Sequence, residues 1–253
     1  MQKIFSSQKN VDSRHEYQCE YIQRLAFKYY SKLISIEEAE DYLKKNYIAS
    51  IFYSKKEYWC DCSNKISWLI KPVSRILNNS KFIFIIRDGR KVVSSFYNKL
   101  NDEIYDDIST KITFDWIDEP DKNFEPPPEK KYWWNIPLQN KEEYKRFKTF
   151  NQFEKICWHW KTCNLFVRNQ LKQIPKTRYE VFKLEDLTKN PSELEKLFKF
   201  LDLDFDELVF ESIKVPHNVN KPIDFDLTEI QEKSFKKIVG DSFDELGYDY
   251  SQK

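Results

Sequence analysis

Four side chains in the stretch KFIFIIRDGRKVVSSFYNK, residues 81–99, are of the types that grip an anion. Arg87 follows an unbroken apolar run, Phe82 to Ile86, and Ser95 lies eight residues further on. Lys91, Ser95 and Lys99 recur every fourth residue and would form one polar stripe on a helix. A guanidinium offers a bidentate fork, an ammonium a point charge, and a helix N-terminus a favourable dipole. Together they describe a phosphate site. The competing reading of the same residues is a solvated basic helix face.

The flanking pattern fixes the elements that must position these groups. Phe82, Ile83, Phe84, Ile85 and Ile86 predict a strand covered on both faces, as in a parallel sheet. Asp88 suits an N-cap, and Gly89 permits a tight turn. Val92, Val93, Phe96, Tyr97 and Leu100 then fall on one helical face. Downstream, Tyr179 to Leu184 predict a strand. Asn190, Pro191 and Glu193 read as cap, first turn and third position of a helix with Leu194, Leu197, Phe198 and Leu201 inward. Residues 17–47 predict two helices, the second opened by a capping box from Ser35 to Glu38.

With these residues in place, the chain resembles the sulfotransferases that use 3′-phosphoadenylyl sulfate (PAPS). Arg87 and Ser95 match the arginine at the strand end and the serine eight residues later in that family's 3′-phosphate motif. The resemblance implies that Lys99 adds a basic nucleotide contact. The block from Arg178 resembles the family's later strand and helix, although Leu184 stands where many members carry a nucleotide-contacting tyrosine. Tyr58 to Leu69 sits where the family places a lysine that neutralises the transferred sulfate, and the match implies that role for Lys65, with a surface lysine as the alternative. The resemblance runs from about residue 58 to the C-terminus, and only the Arg87–Ser95 block is specific. It implies an α/β fold of three layers, α/β/α, with a central parallel sheet, like that of the P-loop NTPases.

The family also carries a first strand and a glycine-bearing loop that cradles the 5′-phosphosulfate at a helix N-terminus. The chain has three glycines, Gly89, Gly240 and Gly247, none in the first 88 residues. The expectation is therefore one sulfotransferase-like domain over residues 1–253, N-terminally incomplete, with the first strand and loop missing. Turnover without that loop is expected to be weak or nil. The implied reaction is in-line transfer of a sulfuryl group from PAPS to a hydroxyl or amine of a carbohydrate, small-molecule or protein acceptor, driven by positioning and charge stabilisation. Some members carry a catalytic glutamate shortly after the missing loop. Glu16 is the candidate base here, against an ordinary surface residue beside His15. Lys221, in a late loop with Asn218 and Asn220, is the candidate to close over the nucleotide. The alternative reading is a non-catalytic protein that binds adenosine 3′,5′-bisphosphate or PAPS. A kinase is disfavoured, because no Gly-x-x-x-x-Gly-Lys-Ser/Thr occurs.

Composition sets the remaining bounds. A chain of 253 residues, 40% hydrophobic and 17% aromatic, can build a substantial core. A net charge of +1 gives no argument for nucleic acid or membrane partners. No long apolar run suggests a membrane span and no apolar signal segment opens the chain, so a cytoplasmic protein is expected. Five cysteines, an odd number, favour free thiols. Cys60, Cys62 and His159 lack the paired spacing of a metal site, and no metal is expected. On the helix around His159, Phe153, Ile156, Trp160, Cys163 and Val167 recur at core spacing, which suggests a packed or surface histidine. Residues 115–139 are rich in proline and aromatics and predict no regular element. Tyr132, Trp133 and Trp134 there can either stack on an acceptor or pin the loop to the body.

Overall fold

The computed structural model describes residues 1–214 and 226–251. Its strands are β1 (Val11–His15), β2 (Tyr58–Cys62), β3 (Phe82–Ile86) and β4 (Tyr179–Lys183). The helices that matter below are α1 (Gln2–Ser6), α2 (Cys19–Tyr30), α3 (Ile36–Asn46), α4 (Ile70–Ile76), α5 (Gly89–Lys99), α6 (Asp107–Asp118), α7 (Gln152–Leu171), α8 (Leu184–Lys189), α9 (Pro191–Phe200) and α10 (Glu229–Val239). The chain divides into two compact units. The first comprises 1–19, 35–87 and 167–219, and the second 20–34, 88–166 and 220–253.

All four strands belong to the first unit, as two parallel pairs, β1 with β2 and β3 with β4. Among the described residues no larger central sheet joins them. The expected absence of a first strand is corrected here: residues 11–15 form β1, in register with β2 from Val11↔Tyr58 to His15↔Cys62. Val11 is the one fully buried residue of VDSRH, so the strand depends on its partner rather than on its own apolar pattern. The pairs share one core. Val11 of β1, Cys60 and Cys62 of β2, Ile83 and Ile85 of β3 and Phe182 of β4 pack with Leu194, Leu197 and Phe198 of α9. Phe5 of α1 stacks on Phe198 with ring centroids 6.0 Å apart.

Arg178 fixes where β3 and β4 meet. Its guanidinium donates to the carbonyls of Leu77 (2.7 Å) and Ser80 (3.0 Å), to that of Ser74, and to the Ser80 hydroxyl. These acceptors lie at the end of α4 and in the turn leading to β3, where carbonyls lack helical partners. The predicted capping box is present, with Ser35 and Glu38 bonding each other's backbone N–H. So is the Asn190 cap with Pro191 first in the helix. The strand from Tyr179 stops one residue early, because Leu184 already opens α8.

In the second unit Asp88 caps α5 as expected, accepting from the Arg90 N–H. Gly89 serves a different purpose from the predicted turn. A Cβ there would stand 2.8 Å from both Trp160 and Phe235, so glycine lets α7 and α10 press their rings onto α5. Residues 115–118 extend α6, against the expectation of no regular structure, and the rest of the 115–139 segment is pinned by side chains. The Trp133 indole donates to the Pro127 carbonyl and that of Trp134 to the Glu103 carbonyl, each at 2.6 Å. Arg24 and Lys28 hold Glu125.

Two substitutions test these contacts. Arg178→Ala is expected to cost about 2–3 kcal/mol in urea unfolding, since it strands several carbonyls, and Arg178→Lys to recover only part, having no fork. Gly89→Ala is expected to cost about 1–3 kcal/mol through overpacking, although alanine is otherwise the better helix former.

Candidate functional site

Beyond the ends of the parallel strands in the first unit lie three of the charged residues singled out above, Glu16, Lys65 and Arg87. In open α/β sheets this edge is where ligands bind. The chain leaves β1 at His15 and turns through Glu16 and Gln18, both in the left-handed region at φ 47° and 51°, before α2 begins. No glycine eases this turn, so its strain must be held by bonds. The Glu16 N–H donates to the Cys62 carbonyl (3.2 Å), and the Tyr17 N–H donates to a carboxylate oxygen of Asp61 (3.1 Å). The second Asp61 oxygen accepts from the Tyr47 hydroxyl at 2.9 Å.

Asp61 thus occupies the strand-to-helix turn as an internal anion. Tyr17, Tyr47 and Trp59 enclose it, their rings meeting edge to face at 5.3–5.7 Å. Burial pushes the Asp61 carboxyl above its ordinary range, with the nearby Glu16 adding to the rise. The hydrogen bonds from Tyr17 and Tyr47 and the charge of His15 oppose it. The Tyr47 phenol is driven far upward by burial and by Asp61 itself.

Lys65 follows β2 and opens a short 3-10 turn, Ile66–Trp68, with its backbone N–H on the Ser63 hydroxyl. Its residue is only 8% exposed, which rules out the surface-lysine alternative. Arg87 is exposed, directly after β3. Glu16, Lys65 and Arg87 therefore each stand just past a parallel strand of the same unit. Ser95 and Lys99 belong to α5 in the second unit, Ser95 half-buried and Lys99 exposed. Lys91 on the same helix pairs with Asp226 at 3.1 Å. Lys221, with Asn218 and Asn220, lies outside the described residues.

The loop aromatics do not form a stacking platform. Trp133 is 0% and Trp134 7% exposed, which corrects the acceptor-stacking reading in favour of pinning. Beside them Tyr105, Thr110, Thr113, Lys131 and Tyr132 line a crevice that admits about one water molecule. Of the packed and surface alternatives for His159 the packed one holds, with Nδ1 3.0 Å from the Tyr105 hydroxyl and the ring against Trp134. Among the described residues no group of three or more His, Cys, Asp and Glu is placed to hold a metal ion. No described helix is long and apolar enough to cross a membrane.

Several solved structures are similar to this chain. One of them is a sulfotransferase domain from the curacin biosynthetic pathway, 14% identical, with 92% of this chain and 75% of that one covered at a TM-score of 0.39. A likeness of that degree carries no argument about fold or chemistry. No protein-family model and no curated protein matches the chain.

The residue that sequence reasoning undervalued is Asp61. Nothing local in the Tyr58–Leu69 stretch marks it, because its partners, Tyr17 and Tyr47, are 44 and 14 residues away. A raised carboxyl in the folded state binds its proton more tightly than in the unfolded chain. Its effect on stability therefore turns unfavourable as pH rises from about 4 through the folded value. Asp61→Asn is expected to fold and to lose that decline. Urea unfolding of both proteins between pH 4 and 7 measures it, and parallel curves would contradict it.

Proposed function

We propose that this chain binds a 3′-phosphorylated adenosine nucleotide and is of the PAPS-dependent sulfotransferase type. The observation that carries the reading is the segment 82–99: a parallel strand, Arg87 at its end, the Asp88 cap, and Ser95 and Lys99 on the helix that follows. Arg87 supplies a bidentate contact to the 3′-phosphate, Ser95 a hydroxyl and Lys99 a further charge. In sulfuryl transfer from PAPS, the Lys65 ammonium neutralises charge on the moving group and Glu16 takes the proton of the acceptor hydroxyl or amine.

A second reading is favoured by one specific observation. Sulfuryl transfer needs free N–H groups at a strand-to-helix turn to cradle the 5′-phosphosulfate. At the β1–α2 turn the Tyr17 N–H is already bonded to Asp61 and the Glu16 N–H to Cys62. That arrangement supports a protein that holds adenosine 3′,5′-bisphosphate or PAPS without turning it over.

Calorimetry with adenosine 3′,5′-bisphosphate tests the shared part. Arg87→Ala is expected to weaken binding at least tenfold, because a hydrogen bond to a charged group contributes about 1.5–3 kcal/mol. Unchanged affinity, with wild type binding measurably, would sink the assignment. Release of the bisphosphate from PAPS in the presence of simple alcohols and amines separates the two readings. Turnover that Lys65→Ala lowers without altering bisphosphate affinity supports transfer. Binding with no turnover supports the second reading.

A further inference from the structure

The strand that delivers Asp61 to one face presents two thiols on the other. Cys60 and Cys62 are two apart on β2 and so point the same way, toward the core of the first unit. Their sulfur atoms are 3.9 Å apart, both residues are half-buried, and neither is in a disulfide. We propose that Cys60 and Cys62 form a two-thiolate site for a soft monovalent metal ion, copper(I) by chemical class.

The spacing distinguishes this from a redox pair. Residues two apart on a strand have Cα atoms about 6.6 Å apart, at the far end of the range that disulfides accept. The sulfurs would also have to close to about 2.05 Å while β2 stayed paired with β1 over all five residues. A bridging ion requires no such contraction. Two metal–thiolate bonds of about 2.3 Å, meeting at a trigonal or tetrahedral angle, set their sulfurs about 3.8–4.0 Å apart.

The donor set then selects the ion. Structural zinc takes four protein ligands, and among the described residues no third His, Cys, Asp or Glu joins these two. Soft thiolates select copper(I). With its two protein bonds at a trigonal angle the ion is three-coordinate, the third position taken by an exogenous thiol. On binding, each thiol gives up its proton to solvent and two S–Cu bonds form. Copper remains copper(I) throughout, so no oxidant or reductant is consumed. The site is independent of the nucleotide reading.

The test is competition between the reduced, full-length protein and bicinchoninate for copper(I) under anaerobic conditions. One ion per chain is expected to leave the indicator. Cys60→Ser and Cys62→Ser are each expected to weaken binding at least a hundredfold, and Cys19→Ser and Cys163→Ser to leave it unchanged. Failure of wild type to compete, or retention of copper by the folded double serine variant, would overturn the proposal. A measurement on wild type alone guards against variants that do not fold. One equivalent of copper(I) is expected to protect Cys60 and Cys62, but not Cys19 or Cys163, from iodoacetamide, as mapped by mass spectrometry. Undiminished alkylation of both would equally overturn it.

Discussion

One guanidinium determines where the most informative segment of the first unit emerges. Arg178 stands at the start of β4 and binds the carbonyls that close α4 and lead into β3. A helix end and a turn otherwise leave such groups to water. By satisfying them from a neighbouring strand, Arg178 ties the approach to β3 to the start of β4. The register Phe82↔Tyr179 follows, and with it the point at which Ile86 ends the strand and Arg87 begins. A slip of one residue would turn Ile83 and Ile85 away from the core they share with Phe182.

The other parallel pair is governed by a half-buried charge. Asp61 is half-buried beside aromatic rings and is stabilised by a backbone amide and a phenol. Those same bonds hold a turn whose two left-handed residues are not glycine. The carboxylate that a free ligand would have to displace is thus also the brace that keeps the turn in shape. Binding an external anion there would mean replacing Asp61 and reorganising Tyr17 and Tyr47 together.

What was legible in the sequence is what is local. The Ser35–Glu38 box, the Asp88 and Asn190 caps, the β3 run and the stripe of α9 are each set by residues within a few positions of one another. Distant partners hid the rest. β1 has one buried residue, and its pairing segment lies more than forty positions away, so its pattern alone signals no strand. Gly89 looks like a turn residue until Trp160 and Phe235 arrive from other helices. The tryptophans of the 115–139 segment suit stacking or pinning by type alone, and the Pro127 and Glu103 carbonyls that take their indole N–H groups decide for pinning. Lys65 was ambiguous for a similar reason, since burial depends on what folds over it. Arg87 and Ser95 were prominent as types, and their shared role still rests on that pattern and on the strand and helix that carry it.

The bond between Arg178 and Ser80 spans 98 residues of chain, and the whole of the second unit's central segment, 88–166, lies inside that span. Chains emerge from the ribosome N-terminus first, at about 5–20 residues per second. β3 therefore leaves the ribosome seconds before β4, its partner strand among the described residues, has been made. During that interval Phe82 to Ile86 is an apolar strand with unpaired edges, the kind of segment that recruits the wrong neighbour. Early collapse of 88–166 around its own aromatic contacts would shorten the loop that β4 must close. The interleaving of the two units thus makes the order of synthesis part of how this fold is reached.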